Sequence, residues 1–205
     1  MNGGYDAGYR VCNCFWGTDP GSVVKALADY VSSWAGLRVL DVGCGEGKNA
    51  AFLSAKGAIV DAIEVSEIAV RNGRRCFPDR RINWQIGDVR TVRLEKGEYD
   101  VVIAYGLFHC FKTRQEISSV IIRLQEATVL NGFHVVCAFN DRHQELVAHE
   151  GFSPCLLHHQ EYLEAYSSWK LIVASDSDLT EIHPHNRIQH THTLTRILAQ
   201  KRLRE

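Results

Sequence analysis

Three glycines at alternate positions, Gly43, Gly45 and Gly47, follow a short apolar run (Leu37, Val39, Leu40, Val42) and precede a helix-like segment over 48–56. Glycine lacks the Cβ that keeps a ligand away from main chain, so a strand entering such a turn and leaving as a helix makes a backbone cradle. The spacing is G-x-G-x-G, not the G-x-G-x-x-G of a dinucleotide site, and Asp41 stands two residues before the first glycine. A carboxylate at that point repels a pyrophosphate and attracts a cation.

Hydrophobic patterning around this turn predicts alternating strands and helices. A helix is expected over 22–34, where Val23, Val24, Leu27 and Val31 recur at helical spacing. Strands are expected over 37–42, 59–65, 82–86, 100–105 and 133–139. Ser66 is placed to cap the helix after the second strand, and a helix over 114–130 is expected to stop at Asn131-Gly132. Such alternation calls for a parallel sheet with helices on both faces. Two further strands, over 169–175 and about 190–198, are joined by a connection too short for a parallel crossover, so the final pair is expected to be antiparallel. The fold class is therefore α/β, a Rossmann-like sandwich around a mostly parallel seven-stranded sheet with an antiparallel last strand, in a single domain spanning 1–205.

In open parallel sheets the ligand sits outside the carboxyl ends of the strands. Glu64 ends the second strand about 20 residues past the glycine turn, where a carboxylate can accept both ribose hydroxyls of a nucleoside. Asp88, after the third strand, is placed for an adenine amino group, with Val89 offering its backbone amide. Tyr105 closes the fourth strand. Together with Gly43, Cys44 and Gly45 in the turn and Val65 beyond Glu64, these positions predict a site for S-adenosylmethionine (SAM). Its ammonium and sulfonium suit Asp41 better than any phosphate does.

Charges nearly cancel, 23 basic against 24 acidic residues, so no bulk field favours nucleic acid or a membrane surface. No apolar run approaches the roughly 20 residues of a membrane span, and the N-terminal residues lack the apolar core of a signal peptide. The seven cysteines are odd in number and mostly sit in apolar patterns, which points to reduced thiols and a cytoplasmic location.

The run LDVGCGEGKNA resembles the signature of class I SAM-dependent methyltransferases, and within them of the TehB (tellurite-resistance) family. The likeness continues through A-I-E-V-S and L-N-G-F. It extends into the tail at Glu181-Ile182-His183, Asn186-Arg187-Ile188 and Leu198-Ala199-Gln200-Lys201. The resemblance implies methyl transfer from SAM to a small-molecule acceptor, either a tellurium or selenium oxyanion or a thiol, with His183 and Arg187 binding the oxyanion or steering the acceptor. One departure is Pro184, where the family can carry an arginine. An N- or O-methyltransferase of small-molecule biosynthesis and a non-catalytic SAM-binding module are the other readings. Nothing after the fourth strand resembles the motif of enzymes that methylate base amino groups, so no nucleic-acid partner and no membrane partner is expected. The chain is expected to be a monomer or homodimer.

Among histidines, His109 follows the fourth strand directly and is a candidate base. His183, His185, His190 and His192 cluster by sequence, but no carboxylate or cysteine is fixed at ligand spacing, so no metal is assigned. Residues 1–20 are expected to form a lid over the cofactor, with Tyr9, Phe15 and Trp16 excluding water and Trp16 contacting the cofactor. Residues 141–165 are expected to cover the substrate. Cys12 and Cys14 are read as incidental thiols. The arginine run Arg71, Arg74, Arg75, Arg80 and Arg81 is read as a solvated face.

Overall fold

The computed structural model describes residues 4–78, 81–149 and 151–203. Arg80 of the basic run lies outside the described residues, as does position 150 within the expected substrate cover.

Seven strands form one sheet: β1 (Arg38–Val42), β2 (Ile59–Glu64), β3 (Ile82–Ile86), β4 (Tyr99–Tyr105), β5 (Thr128–Gln144), β6 (Lys170–Ile182) and β7 (Gln189–Gln200). Their order is β3-β2-β1-β4-β5-β7-β6. The first five are parallel, and β7 runs antiparallel between β5 and β6. Successive strand residues point to opposite faces, and each face has its own core. Helices α1 (Asp6–Val11), α2 (Ser22–Leu27), α3 (Lys48–Ala55), α4 (Glu67–Cys76) and α5 (Arg114–Ala127) accompany the sheet. Leu40, Val102, Val136 and Ile197 pack with Ile117, Val120 and Leu124 of α5 on one side. Val39, Val101, Val135 and Leu198 pack on the other with Val23, Val24 and Leu27, and with Leu53, whose helix spans Lys48–Ala55.

Helix starts follow local chemistry. Ser66 Oγ accepts the Ala69 amide at the start of the Glu67–Cys76 helix, and Thr113 and Glu116 close a reciprocal capping box on α5. Several boundaries differ from expectation, among them the end of β5, which runs on to Gln144, past the expected end at 139. The first expected helix is only Ser22–Leu27 with one 3-10 turn, Ala28–Tyr30, after it. Helix α5 ends at Ala127, because Thr128 is already extended (φ −87°, ψ 134°) and bonds back to the Leu124 carbonyl. Asn131-Gly132 is thus no helix cap. Asn131 takes a left-handed φ of 64° within β5, where the Lys201 main chain bonds both residues. The final hairpin is also much longer than its apolar runs, since β6 continues to Ile182 and β7 begins at Gln189. Cross-strand partners such as Asp178↔Thr193 and Thr180↔Thr191 are polar and carry no apolar alternation. No helix among the described residues is long and apolar enough to cross a membrane.

Candidate functional site

The carboxyl ends of β1, β2, β3 and β4 open onto one cavity of about 450 Å³, within the range of small-molecule sites. The glycine turn forms its floor. Gly43, Gly45 and Gly47 have φ of 63°, 55° and 81°, a region costly for side chains with a Cβ. At Gly47 an added Cβ would also meet the Trp84 ring at 2.2 Å, so this glycine serves packing as well as backbone shape.

Glu64 is buried on the cavity wall. One carboxylate oxygen accepts the Gly45 amide at 2.9 Å and the other the Ser66 amide at 2.9 Å. These bonds orient it and leave further lone pairs for ligand hydroxyls. Burial raises its pKa, and the two amides oppose the rise. Gly43, Cys44, Gly45, Val65, Asp88, Val89, Tyr105, His109 and Trp16 also line the cavity. Asp41 does not. It lies buried beneath the turn, where the Ala50 amide bonds its carboxylate but Oδ2 has no hydrogen-bond partner among the described residues. Burial pushes its pKa up to about 7. A buried carboxylate with an orphaned oxygen is the environment that a ligand ammonium relieves, so the donor set fits SAM through field as well as contact.

Two expected contacts are altered. Asp88 gives both oxygens to Arg90, whose Nε lies 3.0 Å from each, and this holds the carboxyl below its ordinary pKa. Arg90 also reaches Glu116 at 2.7 Å, so an adenine amino group would share Asp88 with a guanidinium. His109 stacks on Phe139 with ring centroids 3.9 Å apart, and its Nδ1 accepts the Phe139 amide. The neutral ring therefore carries its proton on Nε2, and burial pushes its pKa down to about 3. It can donate a hydrogen bond but has no free lone pair with which to act as a base.

Residues 5–17 lie across the glycine turn. Tyr9 and Phe15 are buried, Trp16 Nε1 donates to Tyr9 Oη at 3.1 Å, and Tyr5, Tyr9 and Trp16 line the cavity. The residue that fastens this segment, Glu46, escaped the sequence reading. Buried within the turn, it accepts the Cys14 amide at 3.0 Å, the Phe15 amide at 2.5 Å and Asn72 Nδ2 at 3.0 Å. Lys48 Nζ adds a bond to the Trp16 carbonyl. Cys14 Sγ lies 2.8 Å from Cys76 Sγ, not against Cys12.

The far wall comes from β5, β6 and β7 through Cys137, Phe139, Leu179, Glu181, Leu194 and Arg196. His183 is buried behind this wall, stacked on Phe15 at 5.5 Å and edge-on to Trp16. Arg187 is exposed at the hairpin turn with a left-handed φ of 56° and does not line the cavity, so His183 and Arg187 do not meet as an oxyanion pair. Burial, reinforced by neighbouring histidines, pushes His149 and His183 down to about 4 and His192 to about 3. These rings are neutral at physiological pH and offer lone pairs, not cationic charge.

A methyltransferase-domain family model matches residues 39–132, which span β1 to the start of β5. TehB of Haemophilus influenzae (strain 10810), described as a probable SAM-dependent methyltransferase, is 29% identical over 103 residues, covering 49% of this chain and 35% of TehB. The ribosomal RNA small subunit methyltransferase C of Chromohalobacter salexigens is 40% identical over 93 residues, covering 42% of this chain and 26% of that protein. The matched stretches thus span about a quarter to a third of these relatives. The crystal structure of H. influenzae TehB superposes with a TM-score of 0.73 at 20% identity, over 89% of this chain and 63% of that one. With the cradle, the Glu64 carboxylate and the strand order in place, the chain is similar over residues 39–132 to SAM-dependent methyltransferase domains of class I, and it resembles TehB in fold.

Proposed function

We propose that the chain transfers a methyl group from SAM to a small-molecule acceptor whose reacting atom is soft or anionic, a thiol or a selenium or tellurium oxyanion. The observation that carries this reading is the lining of the cavity. Besides the glycine turn it is lined by Leu107, Tyr5 and Trp16, and by Phe139, Leu179 and Leu194, which pack together with Tyr105 and form its apolar recess. Some 450 Å³ shared by a nucleoside and an acceptor leaves room for a small second molecule. SAM, when bound, supplies a methyl carbon attached to positive sulfur. The chain supplies placement and exclusion of water. Glu64 and the turn amides orient the nucleoside, the 5–17 segment covers it, and the apolar recess desolvates an attacking anion, which speeds neutralisation of charge. An anionic acceptor needs no base, in keeping with His109 having no lone pair to give. Arg196 on the far wall and Lys48 at the start of the helix after the glycine turn are cations that line the cavity.

One observation favours a neutral amine or hydroxyl acceptor as the second reading. Glu181 is a carboxylate on the acceptor wall, and burial raises its pKa, so it is placed to take a proton. The purified chain, incubated with SAM and separately with selenite, tellurite, small thiols and small amines, distinguishes these. S-adenosylhomocysteine release with a thiol or oxyanion, accompanied in the thiol case by a volatile methyl thioether in the headspace, is the expected result. Turnover with amines or alcohols alone moves the assignment to the second reading, and turnover only with RNA or protein overturns both.

A further inference from the structure

Behind the acceptor wall, three segments distant in sequence bring imidazoles and a carboxylate to a point. His149 comes from the loop after β5, Glu181 from β6, and His190 and His192 from one face of β7. Their ligand atoms all lie within 4.8 Å of one another. His149 Nε2 is 3.1 Å from His190 Nε2 and 3.0 Å from His192 Nε2. Glu181 Oε1 is 3.7 Å from His190 Nε2 and 3.8 Å from His192 Nε2. A tetrahedral ion with bonds of about 2.0–2.1 Å holds its ligand atoms about 3.3–3.4 Å apart, in the middle of this set.

The hydrogen-bond partners of the rings decide which atoms point inward. His190 Nδ1 lies 2.8 Å from the Ile188 carbonyl, which can only accept, so that nitrogen carries the proton. His192 Nδ1 lies 2.7 Å from Gln144 Oε1. The Gln144 amide cannot be turned round, because its Nε2 donates to the Asn140 carbonyl at 2.7 Å and the Thr193 carbonyl at 2.9 Å. Both histidines therefore present bare Nε2 lone pairs to the centre, where the Glu181 carboxylate adds a third acceptor. His149 Nε2 can carry at most one N–H to set against these three. His183 Nε2, 3.3 Å from His149 Nε2 and 3.7 Å from Glu181 Oε1, stands at the same centre. Converging lone pairs with outward N–H groups held by oxygen acceptors form the arrangement that surrounds a metal ion, first ligands and their supports alike.

We propose that His149, Glu181, His190 and His192 bind one divalent transition-metal ion of the zinc class. Imidazole nitrogen with one carboxylate oxygen suits zinc, cobalt(II) or nickel(II) over magnesium or calcium. Four protein ligands fill a tetrahedral shell, so the ion is structural. It ties the loop carrying His149 to the β6–β7 hairpin, and through His183 against Phe15 and Trp16 it braces the segment over the cofactor. It also makes Glu181 a ligand and removes it as a base. The expectation that no carboxylate sits at ligand spacing overlooked the pairing across the hairpin, where Glu181 and His190 are register partners.

The 205-residue chain, stripped with a chelator and titrated with cobalt(II) and then zinc, tests this without reference to turnover. One equivalent of cobalt with the visible bands of a tetrahedral ion, displaced by zinc, is expected. His190→Ala/His192→Ala should abolish uptake, whereas His143→Ala, outside the cluster, should retain it. Gln144→Leu, which removes a supporting acceptor, should weaken affinity about 10–100-fold. SAM titration calorimetry on the same samples reports whether each variant is folded, so loss of metal with SAM binding intact supports the site. If the double variant does not fold, zinc-dependent rise of the wild-type melting temperature, blunted in Gln144→Leu, takes its place. Absence of stoichiometric uptake by the wild type, or unchanged uptake in a folded double variant, overturns the proposal.

Discussion

At the β1–β2 end of the cavity, contacts are made by main chain bent through glycines and by the Glu64 carboxylate at a strand end, all within about thirty residues. At the β5–β7–β6 end, the wall and the histidine cluster are built from side chains between Cys137 and Arg196, placed by hairpin register and a loop. The first end presents fixed amides and needs little from distant residues. The second depends on tertiary assembly for every contact. In the proposed function, nucleoside binding belongs to a local motif and acceptor choice to the long hairpin, which lies beyond the stretch matched by the methyltransferase family model.

Four measurements break or sharpen that contrast. The largest effect is expected at Gly47. Alanine there meets the Trp84 ring and sits at φ 81°. Overpacking of about 1–3 kcal/mol adds to a left-handed penalty of about 1–2 kcal/mol, and chemical denaturation should register their sum. A neutral outcome would mean the turn is not rigidly set. Next, Glu64→Ala should weaken SAM affinity about 100-fold by calorimetry, since a charged hydrogen bond is worth roughly 1.5–3 kcal/mol. Unchanged affinity would remove the carboxylate from the site.

The third effect is graded with pH. Asp41 has a folded pKa of about 7 against an ordinary 3.8, so between these values the folded chain keeps a proton that the unfolded chain has lost. Unfolding then releases protons, and stability is full below the lower value, falls as pH rises through the window, and is level above it. Asp41→Asn should flatten this slope in thermal melts. It should also flatten the rise in SAM affinity between pH 5 and 7.5 that ionisation opposite an ammonium brings. A slope retained in the variant would assign it elsewhere. The smallest effect is at Arg187. Exposed and away from the cavity, its replacement by alanine should change turnover less than about threefold, as surface substitutions stay within about 0.5 kcal/mol. A tenfold loss would bring the hairpin turn into the acceptor site.

Sequence reasoning placed the five parallel strands, the antiparallel closing pair and the Ser66 cap, because burial periodicity and capping are properties of neighbouring residues. It missed Glu46, whose partners at Cys14, Phe15 and Asn72 lie 26 or more residues away, and it overextended α5 because Asn131-Gly132 looks like a helix stop in isolation. The tautomer of His109 was equally hidden, since it is set by an amide of Phe139 on a different strand.

By itself the sequence determined the α/β alternation, the glycine cradle and the carboxylate at the end of β2, since each follows from spacing along a few residues and from the absence of a Cβ. Only the tertiary structure decided that Asp41 is buried away from the cavity wall, that Arg90 occupies Asp88, and that His149 and Glu181 join His190 and His192. Those outcomes rest on burial and on the register of strands whose partners are far apart in the chain, and neither quantity is carried by any local run of residues.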